Sequence, residues 1–164
     1  MLLVTCLGVI PMVQGQSTAL SHCESTWPFL PSLPVMYVCL ASYVITDQYH
    51  AIAYGSIVLY GLEPVQFTNG ILIVNGETIA TAVPNAMLNQ NGVMQPEMGV
   101  LSLSPYQSVW VSILITTTIP VNIVVQQIFA NNYAGGTFVL YGSAKDIWGN
   151  WSQKTWTQTI PAIP

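Results

Sequence analysis

Residues 136–160 read GTFVLYGSAKDIWGNWSQKTWTQTI. Two arms flank a polar turn. In the first arm Thr137, Val139, Tyr141 and Ser143 alternate with Phe138, Leu140, Gly142 and Ala144, the period of two that sends successive side chains to opposite faces of a strand. Residues 145–150 make the turn. Asp146 can accept hydrogen bonds from nearby backbone N–H groups, and the pair Gly149-Asn150 can supply the positive φ of a tight reversal. The second arm, 151–160, is rich in Thr and Trp, which suit a half-buried pleated surface. The stretch is an antiparallel hairpin, and the rest of the chain reads as strands added to it.

Outward from this hairpin, strands are expected over 35–46, 51–60, 71–74, 77–82, 100–103, 109–117, 121–129, 137–144 and 151–160. The sharpest second hairpin is GILIVNGETIATA, where Asn75-Gly76 is the favoured two-residue type I′ turn between alternating arms. Residues 85–98 show no period and read as a long loop. Turn signals recur roughly every ten residues, the spacing of a β-sandwich. The expectation is one all-β domain, an antiparallel β-sandwich over 35–164, with an extended N-terminal arm. Within the arm, 16–34 is polar and then proline-rich (WPFLPSLP), which excludes helix. Residues 1–15, MLLVTCLGVIPMVQG, are an apolar segment with two readings. One is a signal peptide lacking its positive n-region and cut near Gly15; the other is a retained apolar strand.

The run GTFVLYGSAKDIWGNWS resembles the last two strands of prokaryotic immunoglobulin-like surface modules. Those often end in glycine, an aromatic, alternating apolar residues and then Asp-x-x-Gly-Asn-x-Ser, here Asp146, Gly149, Asn150 and Ser152. The resemblance runs back through VWVSILITTTIPVNIVVQQIF (109–129), similar to the middle strands of archaeal surface sandwiches. It implies the immunoglobulin-like form of the antiparallel β-sandwich. In composition the chain is also similar to archaeal thread-type pilus subunits, whose members each donate a strand to complete the neighbour's sandwich. That resemblance implies a filament of identical subunits, with the donor in the N-terminal arm.

Composition narrows the function classes. Only 5% of the 164 residues are charged, against about 25% in an ordinary soluble domain. There is no arginine, the lysines are Lys145 and Lys154, and the acids Glu24, Asp47, Glu63, Glu77, Glu97 and Asp146 are scattered singly. Nucleic-acid binding and attraction to anionic membranes both lack their electrostatic basis. A surface covered by Ser, Thr, Asn and Gln suits an acidic exterior or a molecule covered by neighbours or glycans, hence an extracellular or cell-surface location. The 52% hydrophobic content does not imply a transmembrane span: the best helical candidate, VMYVCLASYVIT, is shorter than the ~20 residues a bilayer requires.

The chemistry-bearing residues are few. Cys23 and Cys39 are the cysteines beyond the first fifteen residues, and in an oxidising exterior they form a disulfide worth ~3 kcal/mol; the alternative is two independent buried thiols. Cys6 is an odd thiol if the N-terminus is retained. His22 and His50 are the only histidines. His22 beside Cys23 points to the opposite face of a strand, so no metal centre is expected. No nucleophile elbow occurs and the acids are isolated, so no catalytic residue, cofactor or enzyme activity is expected, and Asp47 and Asp146 read as turn caps. Asn150-Trp151-Ser152 is an N-glycosylation sequon, with a turn asparagine at positive φ as the alternative. Trp110, Trp148, Trp151 and Trp156 crowd the C-terminal half; Trp151 and Trp156, an odd number apart, should face opposite ways.

Two functions follow. The first is a structural subunit of an extracellular filament or surface layer that assembles by strand donation, its partners being further copies of itself. The second is a secreted immunoglobulin-like binding or adhesion module that acts as a monomer on a cell-surface or glycan target.

Overall fold

The structure, a computed structural model, describes residues 27–28, 36–88, 94–96 and 100–164. Its strands are β1 (Trp27–Pro28), β2 (Met36–Ile45), β3 (His50–Leu59), β4 (Val65–Val74), β5 (Glu77–Leu88), β6 (Met94–Pro96), β7 (Leu101–Leu103), β8 (Ser108–Thr117), β9 (Thr137–Lys145) and β10 (Trp151–Thr159). Every ladder is antiparallel, in the order β1-β2-β3-β8-β5-β4-β9-β10. The order is continuous, yet it forms two layers because β4 and β5 part company. They pair only near their shared turn, Gly70 to Val74 against Ala82 to Glu77. Beyond it β5 takes β6 as neighbour through Ala86 to Leu88, and β4 takes β7 through Val65 to Phe67. One layer is therefore β1-β2-β3-β8-β5-β6 and the other β7-β4-β9-β10. Ile57, Leu59, Val109 and Val111 of the first pack against Val65, Phe67, Leu101, Leu103, Ala144 and Trp156 of the second. This is the expected all-β antiparallel sandwich.

The Asn75-Gly76 hairpin forms as expected. Both central residues have positive φ, 52° and 81°, the signature of a type I′ turn. The flanking strands are longer than the sequence suggests, because bulges interrupt their alternation. On β4 the buried set is Val65 and Phe67, then Gly70, Leu72 and Val74. The change of phase falls where the register against β9 shifts between Phe67 and Asn69. One inserted residue, Thr68, swings the following side chains back to the core face. Pro84 sits inside β5 beside another register shift, between Pro84 and Ala86, a position that tolerates a residue without an N–H. β5 thus runs to Leu88, and part of the expected 85–98 loop is strand.

Residues 121–129 correct the sequence reading. They form a helix, α1 (Val121–Phe129), rather than a strand, so the likeness of 109–129 to consecutive strands ends at Pro120. Val121, Val124, Val125, Ile128 and Phe129 recur at helical spacing. Val121, Val125 and Phe129 pack against Tyr43, Ile45, Ala51 and Ala53 of the first layer. Val124 and Ile128 pack with Leu72 and Val74 of β4, Ile79 and Ala80 of β5, and Ile160. The helix wedges between strands of both layers at the end where β4 turns into β5. Of the expected N-terminal arm only Trp27–Pro28 is described, and it pairs with Leu40 and Cys39 of β2 in the same chain; the rest of the arm, with the donor or signal segment, His22 and Cys23, lies outside the described residues. Cys39 falls in β2, and its pairing with Cys23 lies outside them as well.

Candidate functional site

Three connections emerge together at the end of the sandwich opposite α1. They are the β3–β4 loop (60–64), the β7–β8 turn (104–107) and the β9–β10 turn (146–150). Antiparallel pairing puts them side by side, and backbone bonds join them. The Leu59 N–H donates to the Gln107 carbonyl at 2.9 Å, and the Lys145 N–H to the Pro64 carbonyl at 3.0 Å. The 60–64 loop is thereby tied to a neighbour at each of its ends.

The 146–150 turn is organised by Asp146. Its Oδ1 accepts the N–H of Trp148 at 2.9 Å and of Asn150 at 2.8 Å, and its Oδ2 accepts the Asn150 amide at 3.3 Å. Its own N–H donates to the Asn150 carbonyl at 2.9 Å, and the Gly149 N–H to the Asp146 carbonyl at 3.0 Å. The Asn150 N–H, with help from the Asn150 side chain and the N–H groups of Trp148 and Gly149, holds the Asp146 carboxyl below its ordinary range against the opposing effect of burial. Gly149 alone takes the positive φ, 89°; Asn150 does not, which corrects the reading of a paired Gly149-Asn150 reversal. The turn carries Ile147 and Trp148 into solvent, 81% and 79% exposed.

The 104–107 turn has the hydrogen bond from Gln107 N–H to Ser104 carbonyl at 3.1 Å and a second from Ser104 N–H to Gln107 Oε1 at 2.9 Å. Pro105 occupies the second position and Tyr106 the third with φ 58°. This matches a type II turn, whose third position ordinarily belongs to Gly or Asn. A bulky L-residue is disfavoured there, yet Tyr106 is 67% exposed, so no packing of its ring explains the choice. Tyr60 and Leu62 stand out from the 60–64 loop, Leu62 at 77%.

Six large apolar or aromatic side chains therefore crown one end: Tyr60, Leu62, Tyr106, Ile147, Trp148 and Trp151. Sequence reasoning singled out Trp148 and Trp151 but passed over the other four. Their signal was an apolar residue inside turn sequences (YGLEP, SPYQ, DIWGN) that are otherwise polar. Trp151 and Trp156 do face opposite ways, the first exposed and the second buried. Trp110 is half exposed on the outer face of β8 and belongs to no loop. Asn150, the sequon asparagine, is exposed within this crown.

Asp47 and His50 lie at the other end, where β2 turns into β3. His50 Nδ1 is 2.8 and 2.9 Å from the two Asp47 oxygens, and the Tyr49 N–H donates to Asp47 at 2.8 Å. The Tyr49 N–H first, then the His50 side chain, lowers the Asp47 pKa. This is a turn cap, and it does not approach Asp146. Among the described residues no three His, Cys, Asp or Glu side chains gather as metal ligands, and no helix is long and apolar enough to cross a membrane.

No protein-family description and no curated protein matches the sequence. Among solved structures the chain is similar to the GAE domain of yeast GGA1, with 11% identity and a TM-score of 0.37 over 80% of this chain and 96% of that one. It is similar to the GAE domain of GGA2p from Saccharomyces cerevisiae, at 8% identity and a TM-score of 0.36 over 82% and 96%. It is similar to a protein from Archaeoglobus fulgidus at 12% identity and a TM-score of 0.30, over 80% and 100%.

Proposed function

We propose that the protein is an extracellular, non-enzymatic β-sandwich binding module that engages its target through the crown of loops 60–64, 104–107 and 146–150. The observation that carries this reading is the convergence of six exposed apolar side chains on one end of the fold. An apolar patch of several hundred Å² on a soluble surface ordinarily marks an interaction site. Tyr106 adds to it, because its backbone conformation would be easier for Gly or Asn, and such strain is retained mainly where it serves a site. The charge-poor surface supports the extracellular location. The test is adsorption of labelled protein to intact cells. The triple variant Leu62→Ser, Ile147→Ser, Trp148→Ser should lose adsorption at least tenfold, whereas Tyr49→Ser at the opposite end should retain it. Equal adsorption by all three proteins would end the proposal.

Assembly of identical subunits by strand donation is the second reading, and two observations favour it. β10 ends the strand order in nine residues of unbroken register with β9, the kind of regular edge that recruits a further strand. On the outer face of the first layer Val44, Ile52, Leu114 and Val83 sit in one cross-strand row, an apolar band suited to burial by a neighbour. Filaments seen by negative-stain microscopy of purified protein would support this reading; a monomer at high concentration would count against it.

A further inference from the structure

We propose that the target of the crown is the interface of an electrically neutral lipid bilayer, into which Leu62, Ile147 and Trp148 insert; this rests on the binding-module reading above. The shape of the crown is the first reason. The three most exposed large apolar side chains of the described residues are Ile147, Trp148 and Leu62. They stand on two loop tips tied by the Lys145 N–H to Pro64 carbonyl bond. Sugar and peptide sites instead pair apolar faces with convergent polar groups. Here the Asp146 carboxylate beside Ile147 is already occupied by the N–H groups of its own turn.

That occupation is the second reason. Polar backbone entering an apolar phase is costly unless its hydrogen bonds are satisfied internally. In the 146–150 turn four of the five N–H groups, those of Asp146, Trp148, Gly149 and Asn150, have partners within the turn. The tip can leave water without stranding these donors. The third reason is the ordering of side chains. Less exposed than the tips are Tyr60, Tyr106 and Trp151, amphipathic rings of the kind that settle at headgroup depth.

Charge selects the lipid. The chain contains no arginine, and its crown carries Lys145 against Asp146 and Glu63. No basic cluster is present there to favour anionic headgroups, so a zwitterionic surface is the complementary one.

The test is co-flotation with phosphatidylcholine vesicles, with tryptophan emission and quenching by brominated lipid as a depth readout. Wild-type protein should float with the vesicles, its emission should shift to the blue, and bromines near the headgroup should quench it. Trp148→Ser and Ile147→Ser should each reduce partitioning about tenfold, with circular dichroism and melting temperature unchanged because both side chains are exposed. Ile147→Trp should preserve or raise it. Neither 1 M salt nor added anionic lipid should change it much, since the attraction is not ionic. Absence of flotation, equal flotation by Trp148→Ser, or loss of flotation in salt would overturn the lipid proposal. If the triple variant loses adsorption to cells while the wild type ignores vesicles, the binding module stands and the lipid target falls. If the variant changes neither, both fall.

Discussion

The rings of Phe67 and Trp156 meet with centroids 5.2 Å apart and planes tilted by 52°, although a whole strand lies between them. Phe67 is on β4 and Trp156 on β10, with β9 in the middle. The contact passes over Gly142, which pairs with Phe67 on one side, while Trp156 pairs with Leu140 two residues along. A missing side chain in the central strand lets two aromatics from its neighbours touch. The tilted geometry is one that aromatic pairs favour, and both rings belong to the inter-layer core.

Gly142→Ala should therefore destabilise the protein by roughly 1–3 kcal/mol, the range for overpacking a tight core. A Cβ there would run into the Gln66 carbonyl oxygen and come within 3.1 Å of the Trp156 ring. Chemical denaturation measures the loss. An unchanged midpoint would mean that β4 and β10 can move apart without penalty.

Tyr106→Asn should raise stability by a few tenths to about 1 kcal/mol, because Asn tolerates the left-handed conformation that Tyr106 holds at φ 58°. The same change should weaken adsorption to the target. A variant that is both less stable and fully active would show that the ring serves the fold instead.

Val124→Asp should unfold the end of the sandwich that α1 fills, since Val124 is buried in the cluster with Leu72, Val74 and Ile160. A charge without a partner there far exceeds the ordinary range of single substitutions, and even Val124→Ala should cost roughly 1–3 kcal/mol. Ile123→Gln, on the exposed side of the same helix, should change stability by less than about 0.5 kcal/mol. Equal effects at the two positions would contradict the wedge.

Acid titration should leave the melting temperature nearly level from pH 7 to about pH 4. Asp47 and Asp146 both have carboxyls held below their ordinary values in the folded state. A lowered folded pKa stabilises fully above the unfolded value, about 3.9, and that contribution is lost as the pH falls through the lowered one. The decline should begin below pH 4, and Asp146→Asn should make it shallower. Both groups are exposed, so the decline should be small. A steep loss between pH 7 and 5 would point to other titrating groups.

Expression in an N-glycosylating host should add a glycan to Asn150, removed by Ser152→Ala and read by intact mass. Asn150 is exposed, and among the described residues its amide makes the long 3.3 Å bond to Asp146. A glycan so close to Trp148 should hold the tip away from a membrane, so the glycosylated form should float with vesicles less than the Ser152→Ala form. A mass without glycan in such a host would remove Asn150 as an acceptor.

Much of the fold was written locally. The alternation in 137–144 and the Asp146 and Gly149 of its turn are short-range features, and each acts through neighbours a few residues away. Asn75-Gly76 is similar, because only residues tolerant of positive φ close a two-residue hairpin. These determined two hairpins and, with the spacing of the other turns, the all-β class. The same locality made Trp151 and Trp156 face opposite ways.

The helix and the crown needed the tertiary structure. Residues 121–129 are rich in β-branched side chains, which favour strands, and nine residues are too few for a helix to persist alone in water. What decided the matter was the gap between the layers beside β4 and β5, which a helix with apolar residues at 121, 124, 125, 128 and 129 fills on two sides. The crown likewise exists because strand order brings 60–64, 104–107 and 146–150 to one end. In sequence each loop holds one or two apolar residues among polar ones (Tyr60 and Leu62, Tyr106, Ile147 and Trp148), and only long-range pairing, which no local pattern encodes, turns the three loops into one surface.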